Sequence, residues 1–288
     1  MVRPFRIEFV VPITPDFYED VVWEDRVLPR LEGAPPNVLS ICKFGFTEML
    51  NNVASHSESP QAAIVVAADD AAVSIVVMDW GVGIFRKIRD ALSLSTNHEA
   101  VLELTKGKFT TDPERHSGEG LFYTARMFDE FHLMSGEIFL RLRANEHDWW
   151  LEGVDRLDGT HVEMEIALGS PRTTLEVYER FAHQKGDLSL DRTTLAVRML
   201  EPQGGGLVSR SQAKRLVARL EQFRTVVLDF GGVSEIGPAF ADEVFRVFTR
   251  SHPDVRLVPM NTEPAVEAMI RKVTDSAANG ACRPDPSG

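Results

Sequence analysis

Three polar side chains spaced four residues apart, Glu48, Asn52 and His56 in FTEMLNNVASH, are the first that could do chemistry. On a helix that spacing puts them on one stripe, drifting by about 40° per step. Val38, Ile41, Cys42, Gly45, Met49 and Val53 make an apolar face on the same helix, so the stripe borders the buried side. A carboxylate and an amide held at such a border can position a water and a hydrated Mg²⁺, which takes a few oxygen ligands and keeps several waters. A boundary stripe of ordinary solvated polar residues has the same spacing. A second group, Asp79-Trp80-Gly81-Val82-Gly83, follows the apolar run VSIVVM. An acceptor-only carboxylate at a strand end can receive an exocyclic amine such as that of adenine. Gly81 and Gly83 let backbone approach a ligand closely, although Asp-x-Gly after a strand is also a plain turn. The third group, His116-Ser117-Gly118-Glu119-Gly120-Leu121, opens a helical stretch FYTARMF. Glycines ahead of a helix N-terminus expose amide N–H groups and the positive dipole end, which suits phosphate. Neither a dinucleotide fingerprint nor a Walker loop is present. Gly159-Thr160, leading into HVEMEI, is a fourth and slighter signal.

The elements that must hold these groups can be read from periodicity. Phe5 to Val11 reads as a strand, and Asp16 to Leu31 and Pro36 to His56 read as helices, with Pro36 suited to an opening turn. Gln61 to Ala68 and Ala72 to Met78 are strands joined by a hairpin at Asp69-Asp70. Gly120 to Phe131 reads as a helix. His132 to Ser135, Ile138 to Arg143, Trp149 to Gly153 and Thr160 to Ile166 read as meandering strands. This order predicts an α+β layer with helices over a mixed sheet. Gly169, Ser170 and Pro171 mark a domain boundary, giving domains over 1–170 and 171–275, with a disordered tail over 276–288. In the second domain, strands at Thr194 to Met199, Thr225 to Phe230 and Val255 to Pro259 alternate with helices at Ser211 to Phe223, Ala239 to Thr249 and Glu263 to Val273. That alternation predicts a small sheet covered by helices.

Composition bounds the function. The 288 residues carry 31 Lys and Arg against 43 Asp and Glu, a formal net charge of −12, with 43% hydrophobic and 26% charged residues. These are ordinary globular values, and the length suits about two domains. Cys42 and Cys282 lie far apart, which argues for a reducing compartment and against a disulfide framework or a cysteine metal site. No secretory signal is visible, and no stretch approaches 18 uninterrupted apolar residues, so a cytoplasmic protein without a membrane partner is expected. Met1 to Ser170 holds 15 basic and 28 acidic residues, a poor match to nucleic acid, whereas Pro171 to Asp275 holds 15 and 14.

Taken in order, the four groups resemble the boxes of the GHKL ATP-binding superfamily, over about residues 37 to 167. Glu48-x-x-x-Asn52-x-x-x-His56 looks like the N box, Asp79-x-Gly81-x-Gly83 the first glycine box, Gly118-x-Gly120-Leu121 the second, and Gly159-Thr160 the closing Gly-Thr pair. The resemblance implies a Bergerat-type two-layer α/β sandwich that binds ATP and Mg²⁺. In it Asn52 would hold the metal, Asp79 the adenine, and the amides from Gly118 to Gly120 the phosphates. It further implies that Glu48 polarises an attacking water or hydroxyl. Residues 84 to 117, with Lys106, Lys108, Arg115 and His116, would form a mobile lid over the nucleotide. Leu121 and Thr160 belong to the same binding set. No histidine precedes the N box, which argues against a sensor kinase carrying its phosphoacceptor there.

The second domain, in VVLDFGGVSEIGPAFADEVF, resembles the STAS fold of anti-sigma-factor antagonists, and more narrowly the STAS-like domain found behind GHKL ATPases. Those antagonists carry a phosphorylatable serine where the helix starts. Here that neighbourhood reads Ile236-Gly237-Pro238-Ala239, and Ser234 lies earlier in the loop. The apolar set Phe240, Val244, Phe245 and Phe248 reads most simply as core. The two resemblances imply an ATP-binding regulatory protein, a slow ATPase whose nucleotide state controls a protein partner through the STAS-like domain. The alternatives are a serine/threonine protein kinase resembling anti-sigma kinases and a non-catalytic nucleotide-responsive scaffold. GHKL proteins often dimerise, which leaves a homodimer open.

Overall fold

The computed structural model describes residues 2–110, 117–143, 149–182, 188–200 and 206–280, with backbone alone for 276–280. The chain divides into two compact units, Met1–Leu188 and Ser189–Gly288.

In the first unit, β1 (Phe5–Pro12), β2 (Gln61–Ala68), β3 (Ala72–Asp79), β4 (Glu130–Arg143) and β5 (Trp149–Ala167) form one sheet in the order β1-β2-β3-β5-β4. Every neighbouring pair is antiparallel, so the sheet is not the mixed one expected. The long helical connection after β3 delivers β4 to the far edge, and β5 folds back between them, antiparallel to both. Cross-strand register puts Ile64 and Val66, Ile75 and Val77, Val162 and Met164, and Phe131 and Leu133 on one face, where all are buried.

Helices cover that face. The first helical segment, expected as one helix, is a series of short pieces: α1 (Glu19–Val22), a π turn at Trp23–Val27 and a 3-10 turn at Leu28–Arg30. Pro29 lacks the N–H that a continuing helix needs. α2 (Pro36–Asn52) packs on β3 and β5 through Val38, Ile41, Cys42, Gly45 and Met49, then adds a π turn at Val53–Ser57. α3 (Ile84–Ala91) and α4 (Asn97–Lys106) follow β3, and α5 (Gly120–Met127) packs on α2 and β4. α5 stops four residues before the expected end at Phe131. Phe128 turns extended (φ −83°, ψ 158°), its ring is fully buried, and Asp129 N donates to Glu165 O at 2.8 Å to begin the strand. A Cβ on Gly45 would lie 2.4 Å from Cε2 of Phe128, so that glycine is what lets α2 and Phe128 close together.

α6 (Thr174–Phe181) lies beyond the expected boundary yet belongs to the first unit. Tyr178 meets Tyr123 edge-on at 4.5 Å between centroids, and Phe181 meets Phe122 at 5.1 Å. The chain leading to it is tied back, with Asn37 Nδ2 donating to Ser170 O and Arg172 O at 2.8 and 2.9 Å.

The second unit holds three parallel strands, β6 (Arg192–Ala196), β7 (Thr225–Asp229) and β8 (Arg256–Met260), in that order. α7 (Arg210–Val217) opens on a capping box in which Ser209 and Gln212 satisfy each other's backbone N–H groups. α8 (Pro238–Asp242) runs through a π stretch at Glu243–Phe248 into α9 (Thr249–Ser251), with Phe240, Val244, Phe245 and Phe248 buried. α10 (Pro264–Gly280) takes up the first five residues of the segment expected as a tail, and the rest of that segment lies outside the described residues. No helix among the described residues is long and apolar enough to cross a membrane.

Candidate functional site

A cavity of ≈ 380 Å³ in the first unit is lined from five separate stretches of chain, four of which carry the residues singled out in the sequence. α2 and its π turn supply Glu48, Asn52 and His56; the end of β3 and the turn after it supply Asp79 and Gly83. The approach to α5 supplies Gly118, the first turn of α5 supplies Gly120 and Leu121, and β5 supplies Thr160. Met49, Val53, Val77, Ile88, Leu104 and Val162 make apolar walls.

The turn after β3 is locked onto the end of α2. Val82 N donates to Ser57 O at 2.8 Å, and a Cβ on Gly81 would lie 1.8 Å from that same oxygen. Gly83 has φ +80°, and a side chain there would run into Ser135 Oγ at 2.6 Å. These two contacts are the local reason that the residues are glycines. Asp79 is 5% exposed, and its Oδ1 accepts from Gly81 N at 2.8 Å. Burial pushes its carboxyl above the ordinary range, against the opposing pull of the Gly81 and Thr160 hydrogen-bonding groups. Thr160 Oγ1 accepts from Ile84 N at 3.1 Å, tying β5 to the first residue of α3.

Glu48 lies at the start of α5: a Cβ on Gly120 would sit 1.8 Å from Glu48 Oε2. Burial, and then the charge of Glu19, raises the Glu48 pKa. Tyr178 from α6 is close enough to feel that charge, its phenol pushed to about 12 by burial and then by Glu48 and Glu119. Nothing in the spacing of the sequence pointed to Tyr178 or Glu19. Lys87 was missed as well, although a signal existed: Ile84, Lys87 and Ile88 share one face of α3, and all three line the cavity.

Other expected residues sit elsewhere. Gly81 lines a second cavity of ≈ 370 Å³ with Arg86, Arg89 and Arg156. Lys108, at φ +55°, does not line the first cavity. Lys106 is buried with its Nζ 2.6 Å from Glu103 Oε1. Arg115 and His116 lie outside the described residues. Over residues 84–110 the segment expected as a lid is largely α3 and α4, and α4 is buried from Ala100 to Lys106. Among the described residues no group of three His, Cys, Asp or Glu is placed to hold a metal ion.

In the second unit Asp229 ends β7 much as Asp79 ends β3, its Oδ1 accepting from Gly231 N and from Asn261 Nδ2, both at 2.9 Å. Residues 212–267, from α7 into α10, match a family described as a STAS-like domain of unknown function (DUF4325). The second unit holds a STAS-like domain. Comparison with curated proteins found no match to the chain. In the STAS-like domain, α8 opens on Gly237 and Pro238 with no hydroxyl side chain, and Ser234 is exposed in the preceding loop.

Proposed function

We propose that this protein is a Mg²⁺-dependent ATP-binding regulator, with a GHKL-type nucleotide domain of Bergerat architecture in its first unit and a STAS-like output domain in its second. The single observation that carries the reading is the convergence of Glu48, Asn52, Asp79, Gly118, Gly120 and Thr160 on one cavity from four stretches of chain. In this reading the Asp79 carboxylate accepts the exocyclic amine of adenine, and the apolar walls enclose the base. The start of α5 directs its amides at the phosphates. Asn52 is a fitting partner for Mg²⁺, which is commonly held by one or two protein oxygens, water and the phosphates rather than by an all-protein cage. Bound there, the metal would neutralise charge on the phosphates. Glu48, at the start of α5, polarises the attacking water. Adenine, metal and water therefore each have a candidate residue, and slow ATP hydrolysis coupled to a change in what the STAS-like domain binds follows as the activity.

A protein kinase acting on a partner's hydroxyl uses the same site, as does a scaffold that binds without turnover. The absence of a hydroxyl at the start of α8 directs a kinase toward a separate protein. ATP carrying a labelled γ-phosphate separates the three. Release of label as free phosphate is the expected result; transfer to added protein would replace ATPase by kinase, and retention as intact ATP would leave the scaffold.

A further inference from the structure

We propose that Lys87 is a phosphate-binding cation of this cavity, held aside by Glu58 until an anionic nucleotide enters. This rests on the nucleotide reading above. The cavity carries the carboxylates of Glu48 and Asp79, and among its described lining residues Lys87 is the one Lys or Arg. A polyphosphate would meet an unfavourable field there unless positive charge beyond the helix terminus reached it. Of the cationic residues expected to do so, Lys106 and Lys108 do not line the cavity, and Arg115 and His116 lie outside the described residues. Lys87 does, standing between Ile84 and Ile88 on the inward face of α3.

Its ammonium is engaged for now. Nζ lies 2.8 Å from Glu58 Oε1, in a pair whose side chains are 27% and 65% exposed. Such exposed pairs contribute little and open readily. Glu58 itself sits at φ +64°, directly after Ser57, whose carbonyl holds the turn following β3. Glycine or asparagine would occupy that left-handed position with less strain. That position ends the π turn after α2, where a left-handed residue is common, and from it the carboxylate reaches Lys87. Exchange of the Glu58 carboxylate for a ligand phosphate keeps the ammonium paired and frees an exposed acid.

The test is calorimetric titration of the full chain with Mg-ATP, Mg-ADP and uncharged adenosine, on wild type, Lys87→Gln, Lys87→Arg and Glu58→Gln. Lys87→Gln should weaken ATP and ADP binding by about tenfold or more. Lys87→Arg should retain most of it, and Glu58→Gln should tighten it by roughly two- to fivefold. Adenosine should bind all four alike. Lys87→Gln and Glu58→Gln abolish the same ion pair, so a purely structural pair would move both in one direction, and that result overturns the proposal. Equal affinity of Lys87→Gln and wild type for ATP overturns it too, as does an equal loss for adenosine. Should Lys87→Gln fail to fold, tightening in Glu58→Gln still decides. Wild type that binds neither ATP nor adenosine removes the nucleotide reading itself, and this inference with it.

Discussion

At the residue scale the site is governed by two carboxyls held against their preference. Asp79 and Glu48 are both raised by burial, so each would rather be neutral in the folded chain than in water. Asp79→Asn should weaken Mg-ATP binding by roughly 1.5–3 kcal/mol, because the amide presents a donor where the adenine amine needs an acceptor. Unchanged affinity in a titration of that variant would remove Asp79 from the site. Glu48 must be ionised to polarise water, so turnover should fall with decreasing pH sooner than an ordinary glutamate would allow. The stability effect has the opposite sign. Because the folded pKa is raised, the contribution of Glu48 is complete below its unfolded pKa and is lost as pH rises through the folded value. Glu48→Gln should therefore melt higher than wild type at neutral pH, and the gap should close in acid; a gap independent of pH would contradict the assignment. Most of this constellation was legible in the sequence because its members keep short spacings within single elements, as Glu48, Asn52 and His56 do. Tyr178 was not, because only the packing of α6 against the first unit brings it near Glu48.

Elements set how firmly those residues are held. α2 approaches Phe128 and Met164 only because position 45 lacks a side chain. Gly45→Ala gains helix propensity but puts a methyl into the Phe128 ring, and should cost about 1–3 kcal/mol in a denaturant titration. Stabilisation instead would mean that α2 and Phe128 leave room for a methyl at position 45. Gly120→Ala differs, since its new methyl meets the end of a flexible side chain, Glu48 Oε2. That variant should fold and bind nucleotide while losing most of its turnover; full turnover would show that the contact does not fix Glu48. Strand positions followed from alternation and β-branched runs at Gln61–Ala68, but the four short strands expected after α5 are two long ones, β4 and β5, which continue through Gly136 and Gly153. The neighbour order did not follow, because only the placement of β4 at the far edge leaves β5 beside β3. The end of α5 was misread for a similar reason: burial of Phe128 outweighs the helical pattern that continues past it.

For the whole molecule, the placement of α6 has a direct consequence. A fragment over 1–188 should fold and bind ATP like the intact chain, whereas one over 1–170 loses the burial of Val177 and Phe181, roughly 1.5–3 kcal/mol for each, and should unfold at lower denaturant. Equal stability of the two fragments would place α6 outside the first unit's core. The change in texture at Gly169 to Pro171 was visible in the sequence, but the aromatic contacts that tie the next helix back were not, since they join residues far apart in the chain. What the protein does turns on what occupies the cavity of the first unit. Calorimetric titration of the intact protein with ATP in the presence and absence of Mg²⁺, repeated on Asp79→Asn, tests it most directly. One site per chain is expected, tighter with Mg²⁺ and weakened by the substitution. No binding by wild type, or binding that Asp79→Asn leaves untouched, would contradict it.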